Sequence, residues 1–141
     1  MKRPLSVSQA RVRLAIVWLV GMAGIGGLLI VFTIGEALGS RVWDVWDFFW
    51  GMTGPTAALI TGAFTLGLWK PKTDSVDLAV YRVAVALSVI FIAGVGAAIV
   101  AGPLQGSLAL LENSSKWLRP IQALMSAAVG AFFVADGKRT G

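Results

Sequence analysis

From Leu14 to Gly35 the chain reads LAIVWLVGMAGIGGLLIVFTIG, 22 residues without a charge. As a helix rising about 1.5 Å per residue, such a run extends roughly 33 Å, enough to cross a hydrocarbon core of about 30 Å. Arg11 and Arg13 stand just before it and mark the side it enters from. Signal-peptide apolar regions run roughly 7–15 residues, so the run reads as a retained anchor, although Ala37-Leu38-Gly39 resembles a small-residue cleavage site.

Three more apolar stretches follow, with connections too short for a soluble domain. Of the 141 residues, 57% are hydrophobic and only 13% charged, and mean hydropathy is +0.80. Soluble domains carry roughly 25% charged residues. So few charges cannot cover a water-soluble globule of this size. The expectation is an all-α membrane protein. It is one domain over residues 1–141, a four-transmembrane-helix bundle with spans near 14–35, 51–69, 78–102 and 117–134.

The segment Glu36 to Trp50 reads as a short interfacial helix in the first loop. Trp43, Trp46 and Trp50 fall at i, i+3 and i+7 on one face, with Asp44 and Asp47 beside them. Ser40 is a candidate cap for it. Trp69 and Trp117 extend the aromatic belt at the water–lipid boundary. Asp44 and Asp47 alone offer too few oxygens for a cation.

Small residues recur in each span, where they let backbones approach closely. Gly21 and Gly24 lie in the first span, and Gly54, Ala58 and Gly62 recur every four residues in the second. In the third, Ala93, Ala97 and Ala101 form one strip and Gly94, Ala98 and Gly102 its neighbour. In the fourth, Ala123, Ala127 and Ala131 form one strip, with Ser126 and Gly130 on the next. Thr53, Thr56, Thr61 and Thr65 add hydroxyls to the second span. They read either as back-bonds to their own helix or, at Thr56, Thr61 and Thr65, as a pore lining. Gly54-Pro55 suits a helix start or a kink, Pro120 suits a first helical turn, and Pro103 suits a helix end. Asp74 or Ser75 is a candidate cap for the third span, with Asp77 favourable near its start. Arg82, one turn into that span, reads as snorkelling to the headgroups.

Lys2, Arg3, Arg11, Arg13, Lys70, Lys72, Arg82, Lys138 and Arg139 fall on one side of the four spans. Arg41, Lys116 and Arg119 fall on the other. Nine against three places both termini in the cytoplasm, in a bacterial inner membrane. The net charge of +5 is accounted for by these span ends, which meet anionic lipid rather than nucleic acid.

The chain contains no Cys and no His. Thiol catalysis, Fe–S clusters and His-ligated haem, copper or zinc are therefore ruled out from its own residues. No metal-ligand cluster, catalytic triad or phosphate loop is visible, and no carboxylate lies inside a span. The expectation is a protein that is not an enzyme and binds no cofactor.

Two segments, FFWGMTGPTAALITGAF (Phe48 to Phe64) and KWLRPIQALMSAAVGAFFV (Lys116 to Val134), carry a likeness. They resemble the membrane modules of bacterial conflict-system proteins, including those attached to prokaryotic YEATS domains. Trp117, Leu118, Pro120 and Gln122 match the W-L-x-P-x-Q pattern of those modules. The resemblance implies a membrane-embedded effector or anchor with a cytoplasmic partner. Two functions follow as expectations. One is a scaffold or accessory subunit that self-associates as a homo-oligomer, alone or within a larger membrane complex. The other is an oligomeric pore or channel, a phage-defence effector.

Overall fold

The computed structural model describes residues 6–65, 77–104 and 108–134. Four helices run through them: α1 Val7–Ile34, α2 Val42–Thr65, α3 Leu78–Leu104 and α4 Ala109–Val134. A short 3-10 turn, Gly39–Arg41, precedes α2. No strand occurs among the described residues.

α1 starts earlier than its apolar run because Ser6 caps it. The Ser6 hydroxyl accepts from the Gln9 amide at 3.3 Å, filling one of the donors a helix start leaves open. α3 starts at its own cap: the Asp77 carboxylate accepts from the Ala79 amide at 2.8 Å. Asp74 and Ser75, the other candidates for that role, lie outside the described residues. Between α1 and α2 the chain reverses through Glu36 and Gly39, both at positive φ (56° and 53°).

Contacts along the helices fix their directions. Trp18 meets Ser88 and Gly21 meets Ile92, so α1 and α3 run parallel. Met52 meets Gln122 and Thr56 meets Ser126, so α2 and α4 also run parallel. Gly94 sits on Leu118 and Gly102 on Leu111, so α3 and α4 are antiparallel. The topology is up-down-up-down. The end of α1 and start of α2 lie at the same end of the bundle as the end of α3 and start of α4, called here the upper end.

Three expectations need correcting. The interfacial helix is not separate: Trp43, Trp46 and Trp50 belong to α2, which continues without a break to Thr65. Val45, Phe49, Met52, Thr53, Thr56, Ile60 and Ala63 keep one inward phase through the Trp50–Gly51 boundary, and that continuous buried stripe holds the helix together. Pro55 is thus an interior proline rather than a helix start. In the same way α4 begins at Ala109, not Trp117, and Pro120 is interior. Leu111, Ser114 and Leu118 carry the buried stripe of α4 back past Trp117.

α1 and the Leu78–Gly102 part of α3 are each long and apolar enough to cross a membrane. α2 and α4 lack that profile among the described residues. α2 opens with Asp44 and Asp47, and α4 with Glu112, Lys116 and Arg119. The two long apolar helices also face outward with hydrocarbon. Val20, Val31 and Ile34 on α1, and Val83 and Ile90 on α3, are all more than half exposed. A helix on a water-soluble bundle turns polar residues outward; beyond Arg13 on α1 and Arg82 on α3 the outward residues of these two are almost all apolar.

Candidate functional site

The bundle interior is closed by apolar side chains and a few paired polar groups. Trp18 is fully buried, donates from Nε1 to Ser88 Oγ at 3.1 Å, and lies 5.9 Å from the Phe91 ring. Ser88 in turn donates to the Ala84 carbonyl at 2.8 Å, so its hydroxyl works both ways. Thr53 bonds back to the Phe49 carbonyl at 2.7 Å, and Thr33 to that of Leu29 at 2.8 Å. These are the intrahelical back-bonds that hydroxyls make in apolar surroundings.

Thr56, a candidate pore-lining residue, is buried against α4, with Ser126 Oγ at 3.4 Å and Met125 S at 3.9 Å. Thr61 is exposed and borders an apolar cleft between α1 and α2. The side chain of Thr65 and the whole of Trp69 lie outside the described residues. Of the described candidates, Thr56 faces α4 and Thr61 faces the α1–α2 cleft, so the bundle does not bring these two together.

The small-residue strips divide into inner and outer ones. Gly94, Ala98 and Gly102 lie in the α3–α4 contact: a methyl at Gly94 would come within 3.0 Å of Leu118 and 3.1 Å of Trp117. Gly21 is as tight against Ile92, at 2.8 Å. Gly130 lies near Leu59, at 3.8 Å from an added methyl. The other strips face away from the bundle. Ala58, Ala93, Ala97 and Ala127 are exposed and Ala101 is half-buried, while Gly24, Gly54 and Gly62 have open space where a methyl would go.

The aromatic belt splits in a similar way. Trp43, Trp50 and Trp117 are 74%, 55% and 49% exposed. Trp46 is half-buried and donates to Thr33 Oγ1 at 3.1 Å, joining α2 to α1. Arg82 is exposed, in keeping with a headgroup position, whereas Arg11 is only 3% exposed. The sequence marks Arg11 only as a flanking charge; its phase with Leu14 and Trp18 on the inward face of α1 was the signal that it turns inside.

The polar feature with most chemical content is a cleft at the upper end between α2 and α4. Its volume is about 380 Å³. Asp44 and Asp47 line it from α2, Glu112, Ser115 and Arg119 from α4. At its base Gln122 Nε2 donates to the Met52 carbonyl at 2.8 Å and reaches the Gly51 carbonyl at 3.4 Å. No group of three or more metal-ligating side chains occurs among the described residues. The cleft is polar, with carboxylates on both walls and Arg119 on the α4 side.

No protein-family model, curated protein or solved structure matches this chain.

Proposed function

We propose that the chain is a small non-enzymatic integral membrane protein that associates with copies of itself, as scaffold or accessory subunit. The reading has it cross a bacterial inner membrane four times with both termini in the cytoplasm. The observation that carries it is the outward direction of the Gly54–Ala58, Ala93–Ala97 and Ala123–Ala127 strips. In lipid, helices associate through close packing at small residues, because hydrocarbon gives no hydrophobic drive between them. Ala58, Ala93, Ala97, Ala123 and Ala127 stay exposed on the outside of the bundle. The apolar outer faces of α1 and α3 support lipid as their solvent.

The chain has no cysteine, so any disulfide reports only on residues placed by design. Ala58→Cys or Ala97→Cys, oxidised in native membranes, is expected to give a covalent dimer. Val95→Cys, which is fully buried, is expected to stay monomeric. The mass of the detergent-extracted particle is expected at a multiple of 14.8 kDa. A monomeric mass with no cross-link at either alanine would remove the reading.

A second reading, an oligomeric pore acting as a membrane effector, draws on the cleft lined by Asp44, Asp47 and Glu112. Carboxylates at a pore mouth favour cations. Planar bilayers containing the purified oligomer are then expected to carry a cation-selective current that Asp44→Asn with Asp47→Asn weakens. A folded oligomer that passes no current under voltage leaves only the scaffold.

A further inference from the structure

Pro55 has no N–H, so the Gly51 carbonyl one turn earlier loses the bond that a helix would give it. In the interior of α2 that carbonyl is cut off from its own ladder. The structure supplies a replacement from another helix. Gln122 of α4 places Nε2 at 2.8 Å from the Met52 carbonyl and 3.4 Å from that of Gly51. A helix interrupted by proline holds its line only while neighbours satisfy the freed groups. Glycines at 51 and 54 flank the break, and neither has a side chain within reach of where its methyl would sit. The break therefore has low resistance to bending on its own, and one amide spans it.

Two clefts share the segment above the break. Asp44, Asp47 and Phe48 form one wall of the polar cleft against α4. On the opposite side Trp46, Phe49 and Trp50 form a wall of the apolar cleft against α1, about 660 Å³ in volume. Any rotation of Val42–Trp50 about Gly51–Pro55 changes both at once, in opposite senses.

We propose that Gly51–Pro55 is a hinge in α2, latched by Gln122, and that Val42–Trp50 is the moving wall of the α2–α4 cleft. With the amide engaged the wall is held at its present distance from α4. With the amide released the segment swings toward α1 and the polar cleft widens. Gln122 is here a positioning residue, acting on α2 only through the carbonyls it covers. The proposal does not depend on whether the chain is a scaffold or a pore.

The absence of cysteine permits a direct test on the full chain in lipid nanodiscs. Spin labels at Asp47→Cys and Ser115→Cys face each other across the cleft, and pulsed electron resonance reads their separation. Gln122→Leu is expected to lengthen the mean separation by several ångströms and broaden its distribution. Pro55→Ala restores the N–H to Gly51, so Pro55→Ala with Gln122→Leu is expected to return to the native separation and width. An unchanged distribution in Gln122→Leu overturns the latch. So does a double variant as broad as the single one, because Gln122 would then act on something other than the proline break. If Gln122→Leu cannot be recovered as a monodisperse particle, recovery of the double variant supports the latch. Loss of both overturns it.

Discussion

Trp18→Ala is expected to be among the most damaging single substitutions in the chain, lowering stability by about 3–5 kcal/mol, the range for truncating a buried large aromatic. The indole is fully buried, fills the space between α1 and α3, and rests on the Phe91 ring. Its removal empties a volume that Gly21, one turn away, has no side chain to refill. The hydrogen bond is the smaller part. Ser88 keeps its bond to the Ala84 carbonyl when the indole is gone, so no donor is orphaned. Trp18→Phe, which retains a ring and loses only the N–H, is therefore expected to cost about 1 kcal/mol beyond its small loss of volume. Reversible unfolding in mixed micelles, followed by circular dichroism, measures both. If phenylalanine proved as harmful as alanine, the hydrogen bond rather than the packing would hold the two helices.

The second large effect is expected at Gly94. A methyl there already falls 3.0 Å from Leu118 and 3.1 Å from Trp117, so Gly94→Val drives branched carbon into the α3–α4 contact. Overpacking of this kind costs about 1–3 kcal/mol. The Trp117 ring is half exposed and can give way, which makes the lower part of that range the expected result. Gly24→Val is the matched comparison, a glycine in the equivalent type of helix with nothing within 4 Å. It is expected to leave unfolding of the single chain unchanged. Should Gly24→Val instead reduce the mass of the extracted particle, that open face is where copies meet. Equal unfolding losses at both positions would contradict the division into inner and outer strips.

Helix number and order were legible because each apolar run is long and the punctuation between runs is strong. So was the back-bond of Thr53 to its own helix, which the local geometry of a hydroxyl in a helix supplies. What could not be read was whether a breaker breaks. Pro120 looks like a helix start, and Pro55 like a start or a kink, from the residues beside them. Whether a helix continues through a proline depends on what lies across from it, and for Pro55 the answering group, Gln122, is far along the chain. The interfacial helix was misjudged for the same reason: Trp43, Trp46 and Trp50 suggest a boundary locally, while the buried phase of Val45, Phe49 and Met52 runs on through it. The strips were visible as spacing, but spacing alone does not say which of two adjacent strips turns inward. Gly94–Ala98–Gly102 and Ala93–Ala97–Ala101 are equally regular, and bulky residues from α4 select the first.

From Leu14 to Ile34 α1 carries no charge and offers hydrocarbon on every side, and under the proposed membrane reading lipid would accept all of those sides equally. The surrounding solvent therefore exerts almost no torque on this helix about its long axis. Its azimuth is then set by contacts with its neighbours: the indole in its slot beside Ser88, the notch at Gly21 that receives Ile92, and the Trp46–Thr33 bond to α2. In a membrane, blunting those contacts would free α1 to turn about its axis without leaving the bilayer or losing its helix.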